Sequence, residues 1–116
     1  MEEEMANGEN CCENLKPMLD KLLKKMPADD RAKHQADFFK AMSDPARVKI
    51  IYALASGELC VCELMVIMGM QQTVVSHHLK ILKYAGIVSD RKSGKWVNYK
   101  LVDDRALDML KAIEGT

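Results

Sequence analysis

Leu15, Met18, Leu19, Leu22, Leu23 and Met26 recur three and four residues apart with lysines between them, the spacing of one apolar face on a helix. Pro17 falls in what this spacing makes the first turn, where its missing N–H is tolerated. Order is therefore expected from about Asn14, behind a mobile, polar, cysteine-bearing tail over residues 1–14. Pro27 ends the helix, and Asp29 or Asp30 caps a second one running to about Met42, with Phe38, Phe39 and Met42 as apolar anchors. Asp44 as N-cap with Pro45 at the first helical position starts a third, whose expected buried stripe is Val48, Ile51, Tyr52 and Ala55 until Gly57.

A short helix from about Cys60 to Met68, a turn at Gly69-Met70 and a further helix from about Gln72 to Tyr84 make a helix-turn-helix pattern. On the second of these helices Val75, Leu79 and Leu82 fall to one side, and Thr73, Ser76, His77, Lys80 and Lys83 to the other. The period then changes. Val97, Tyr99 and Leu101 alternate with Trp96, Asn98 and Lys100, and Ser93-Gly94 supplies a turn back to a strand over Ile87 to Arg91. Asp103 or Asp104 caps a last helix with Ala106, Leu107, Leu110 and Ile113. The fold class is mainly α with a β-hairpin wing, a winged helix-turn-helix, and residues 15–116 form one DNA-binding and dimerisation domain. The apolar stripe from Leu15 to Met26, joined by Leu107 and Leu110, is expected to build a homodimer interface.

Charge sharpens the picture because its distribution is uneven on a chain of formal net charge zero. Residues 1–30 carry eight acidic against four basic side chains, and residues 71–100 six basic against Asp90 alone. A clustered basic stripe suits a polyanion. Gln72, Thr73, Ser76 and His77 can donate to and accept from base edges in double-stranded operator DNA, and Lys80, Arg91, Lys92 and Lys95 can neutralise its phosphates. No apolar stretch is long enough for a membrane span, and none follows a basic amino terminus as a secretory signal would, so a cytoplasmic location is expected. In that reducing compartment Cys11, Cys12, Cys60 and Cys62 are thiols for metal or redox chemistry rather than a disulfide framework.

Four runs in this order resemble the ArsR/SmtB family of metal-sensing repressors: Asp44-Pro45-Ala46-Arg47, Glu58-Leu59-Cys60-Val61-Cys62-Glu63-Leu64, Val75-Ser76-His77-His78-Leu79-Lys80-Ile81-Leu82, and Asp90-Arg91-Lys92-Ser93-Gly94-Lys95-Trp96-Val97. The resemblance covers roughly residues 36–102. It implies a dimeric winged helix, not an enzyme, that represses resistance genes until an inducer binds. By position it makes Ser76, His77 and their neighbours DNA-reading, and Cys60 and Cys62 inducer-binding.

Cys60 and Cys62 stand at the start of a short helix, where free N–H groups favour thiolates. Helical residues two apart point about 200° away from each other, so both reach one ion only if Cys60 lies at the non-helical cap. Arsenite, cadmium and lead prefer three or four soft sulfurs. Some family members place a further cysteine where this chain has Met65, so Cys11 or Cys12 is expected to complete the set. An adjacent pair suits a pyramidal trithiolate better than a shared tetrahedral ion, which puts As(III) slightly ahead of Cd(II) or Pb(II), with Zn(II) behind them. A zinc site on the last helix, known in some members, is not expected, because Arg105 stands where a histidine would accompany Asp103. The competing classes are a thiol-redox-responsive repressor switched by disulfides and, more distantly, a small thiol oxidoreductase, which would need a βαβ pattern absent from this chain.

Overall fold

The computed structural model describes the backbone of residues 2–115 and the side chains of residues 13–115. The chain divides into two compact units after Ala32. In the first, α1 (Glu2–Lys25) is helical from well before Asn14, so Pro17 lies inside the helix rather than in its first turn. Leu15, Met18, Leu22, Leu23 and Met26 are exposed along it.

Helix α2 (Asp29–Ala41) leads into the second unit, which holds α3 (Pro45–Ala55), β1 (Leu59–Cys60), α4 (Val61–Met68), α5 (Gln72–Tyr84), β2 (Val88–Ser93), β3 (Trp96–Leu101) and α6 (Asp104–Glu114). Asp44 caps α3 by accepting from the amides of Ala46 and Arg47. Burial pushes its carboxyl up, but those two amides and the charge of Arg47 outweigh it and hold the group below its ordinary value. Asp103 caps α6 in the same way through the Arg105 amide.

The core gathers Phe38 and Ala41 of α2, Ile50, Ile51 and Leu54 of α3, Leu64 of α4, Val75, Leu79 and Leu82 of α5, Ile87 and Val88, and Ala106 and Leu110 of α6. Several expected positions are corrected by this packing. On α3 the buried stripe is Ala46, Ile50, Ile51 and Leu54, while Tyr52 is exposed and hydrogen-bonds Glu114 Oε2 at 3.2 Å. Phe39 is exposed, whereas Leu110 belongs to the core and is not free to face a partner.

The wing is an antiparallel hairpin whose loop residue Gly94 takes φ +63°, a conformation glycine adopts without steric cost. A feature the sequence does not announce is β1, two residues long, which pairs antiparallel with β3 and makes the wing a three-stranded sheet in the order β1-β3-β2. Sheet side chains alternate, so the row Leu59, Tyr99 faces the core, and the next row, Cys60, Asn98 and Arg91, faces away from it.

Candidate DNA-reading face and thiol site

Gly69 closes α4 at φ +64°, donating its N–H to Met65 and Val66 carbonyls, and three residues later α5 begins. This left-handed carboxy-terminal cap turns the chain sharply enough for α4 and α5 to pack as a helix-turn-helix. Burying Val75, Leu79 and Leu82 fixes the rotation of α5. Gln72, Thr73, His77 and Lys80 are thereby exposed and Ser76 is half-buried. His78, pointing about 100° from His77, is half-buried.

The wing presents Arg91, Lys92 and Lys95 to solvent around the tip of the hairpin. They are not equivalent. Arg91 Nε lies 2.7 Å from Glu58 Oε1, an ion pair between the wing and the residue preceding β1. Lys95 Nζ sits over the Trp96 ring, 5.3 Å from its centroid, and Lys92 makes no ion pair among the described residues. Lys83, also on α5, is paired with Asp90 at 3.0 Å. Glu58 was invisible to sequence reasoning because its partner is more than thirty residues away, although its sign opposite a basic wing was a usable signal.

Cys60 is the N-cap of α4, with extended φ −85° and ψ 164°, and Cys62 is exposed one residue into the helix. The Cys60 amide donates to Glu63 Oε1 at 2.9 Å. That amide first, and the Cys60 thiol second, hold the Glu63 carboxyl below its ordinary value. The non-helical cap is the placement that a shared ion requires of Cys60. Cys11 and Cys12 fall within α1, but their side chains lie outside the described residues. Among the described residues no three His, Cys, Asp or Glu side chains gather as a metal-binding group. Asp103 is occupied by its own cap and by Arg105, whose Nε and Nη2 donate to it at 2.9 and 2.7 Å. The Arg105 side chain is the main cause holding the Asp103 carboxyl below its ordinary value. No helix among the described residues is long and apolar enough to cross a membrane.

Residues 44–90 match the family model "Bacterial regulatory protein, arsR family". An HTH-type transcriptional regulator of Methanocaldococcus jannaschii is 45% identical over 80 residues, covering 68% of this chain and 90% of that protein. The cadmium resistance transcriptional regulatory protein CadC homolog of Staphylococcus aureus is 46% identical, over 66% of this chain and 64% of its own length. The arsenical resistance operon repressor of Escherichia coli is 44% identical, over 54% of this chain and 55% of its own. The chain thus spans less than two thirds of the length of these last two relatives. Among solved structures, a homodimeric winged helix-turn-helix DNA-binding domain from Mycobacterium bovis superposes with a TM-score of 0.67 at 26% identity, covering 76% of this chain and 84% of that one. The curated relatives are transcriptional regulators by name, and the winged fold of this chain agrees with that of the solved DNA-binding domain. Sequence, fold and relatives together establish that the chain belongs to the ArsR/SmtB family of transcriptional regulators.

Proposed function

We propose that this regulator is a cytoplasmic homodimeric repressor that holds operator DNA through α5 and the wing, and leaves it when Cys60 and Cys62 bind a soft metal or metalloid ion. The observation that carries the reading is the position of Cys60, at the cap of α4 and paired through β1 with Asn98 of the wing strand. A ligand pulling on this thiol acts at once on the helix preceding α5 and on the sheet that carries Arg91, Lys92 and Lys95. Gln72, Thr73, Ser76 and His77 read base edges, and Lys80 with the wing cations meets phosphates. The exposed apolar stripe of α1 builds the two-fold interface that sets two recognition helices about one DNA turn apart.

Two thiolates form only part of a soft-ion site, and Cys11 or Cys12 completes it. As(III) is placed ahead of Cd(II) or Pb(II), with Zn(II) last, and the cadmium and arsenical relatives support an inducer of this class. Linkage requires that DNA weaken ion binding by the factor by which the ion weakens DNA binding, typically about 1–3 kcal/mol. The test is a titration of the reduced dimer, bound to its own promoter DNA, with each of the four ions under strong reductant. Release by As(III), Cd(II) or Pb(II) supports the reading. Release only by oxidant overturns it in favour of a disulfide switch.

A further inference from the structure

Helices α2 and α5 leave between them an open groove of about 700 Å³. Its floor is apolar, formed by Phe38, Ala41 and Ile81, and its rim is cationic. The single carboxylate lining it, Asp37, is held by Lys33 at 2.9 Å, whereas Lys40 and Lys80 make no ion pair among the described residues. Tyr84 stands at its edge, 96% exposed, at the end of α5.

We propose that this groove takes the sugar-phosphate backbone of DNA flanking the bases met by α5, so that each subunit's footprint extends onto α2. The inference rests on the DNA-binding reading and deepens it. Three observations carry it. First, His77 and Lys80 belong both to the outer face of α5 and to the groove, so one helical face runs from Thr73 through His77 and Lys80 to Tyr84 without a break. When the amino-terminal half of a recognition helix meets base edges, its carboxy-terminal half is left beside the phosphates. Second, Lys33, Lys40, Arg47 and Lys80 against Asp37 leave a positive rim. Third, an apolar floor beneath a cationic rim matches a strand that alternates deoxyribose with phosphate, and a phenol at the edge can donate to a phosphate oxygen. The Lys40 side chain is dispensable for the fold, since it is that residue's carbonyl, and not its ammonium, that bonds to Ser43 and Arg47.

The experiment measures binding of the full chain to two duplexes sharing a sequence that the protein selects from a random pool: one with long flanks, one trimmed to the selected bases. Lys40→Ala and Tyr84→Phe are compared with the parent and with the wing variant Lys92→Ala, each checked for folding by circular dichroism. Expected on the long duplex is a weakened Lys40→Ala complex, its slope of log affinity against log salt shallower by about 0.9 for each phosphate that is no longer neutralised. On the trimmed duplex Lys40→Ala equals the parent, whereas Lys92→Ala is weaker on both. A Lys40→Ala, Tyr84→Phe double variant matching the parent on the long duplex at every salt concentration, while Lys92→Ala is impaired, overturns the groove and spares the DNA-binding reading. A parent that selects no sequence overturns both.

Discussion

Arg47 Nη1 lies 3.2 Å from His78 Nδ1, joining α3 to α5. The same guanidinium donates through Nε to the Ala41 carbonyl at 2.7 Å and through Nη2 to the Lys40 carbonyl at 3.3 Å, closing the end of α2. An arginine only donates, so His78 accepts at Nδ1 and carries its proton on Nε2. Nitrogen-detected NMR should find that tautomer. Arg47→Ala should cost about 1–3 kcal/mol in urea denaturation, because it orphans the Ala41 carbonyl and frees α5 at once, while the Lys40 carbonyl keeps its bond from Ser43. His78→Asn, which keeps an acceptor near the Nδ1 position, should cost less than His78→Leu. Equal losses for the two would mean that the hydrogen bond contributes nothing.

Glu58 restrains Arg91 through their 2.7 Å ion pair. Glu58→Gln should release the guanidinium, tighten binding to all DNA sequences and steepen the salt dependence by about 0.9 for each additional phosphate neutralised. Arg91→Ala should do the reverse, and in the double variant the Glu58 substitution should have no further effect. Unchanged affinity in Glu58→Gln would show that the pair does not hold Arg91 back.

The two cysteines of α4 should separate folding from response. Serine is a better N-cap than most residues, so Cys60→Ser should leave thermal stability unchanged or raised while abolishing release from DNA by As(III). Cys62→Ser, at an exposed helical position, should be neutral for stability and equally unresponsive. The Cys11→Ser, Cys12→Ser double variant should bind ions more weakly. If As(III) releases it as readily as the parent, the amino-terminal pair is outside the sensor.

Gly69 tests the turn. A Cβ there meets nothing within 4 Å, so the cost of Gly69→Ala is that of the backbone at φ +64°, about 1–2 kcal/mol in denaturant titration. Gly69→Asn should cost less, since asparagine tolerates this region.

Acid should weaken the fold through its caps. Asp44, Glu63 and Asp103 all have carboxyls held below their ordinary values in the folded chain. A depressed folded value means that their contribution is complete above the unfolded carboxyl range, about pH 4, and is lost as pH falls through the folded values. Asp44→Asn keeps a capping oxygen but does not titrate. Its melting temperature should therefore fall less steeply than the parent's below about pH 4, and parallel acid profiles would refute a titrating cap.

The helix-turn-helix and the hairpin were legible because each carries local punctuation. Gly69 sets the turn, and α5 and β3 begin and end where the pattern puts them, at Gln72–Tyr84 and Trp96–Leu101. The face of α3 was not, since from Val48 to Ala55 only Lys49 is charged and most other positions are apolar, leaving no polar side to orient it. Packing chose Ala46, Ile50 and Leu54. Strand β1 and the Glu58–Arg91 pair escaped for a different reason. Both are created by the return of the wing, and nothing within a few residues of Glu58 or Cys60 signals it.

The shortness of β1 constrains how such a sensor can diversify. Position 60 must be extended, must begin a helix and must register against Asn98, so few side chains suit it. Position 62 is exposed and carries none of these duties. Selection or engineering for a new inducer should therefore change residue 62 and the amino-terminal segment freely and residue 60 rarely. A substitution at 60 that alters the inducer should bring altered operator affinity with it, making ligand choice and DNA affinity inseparable traits at that one site.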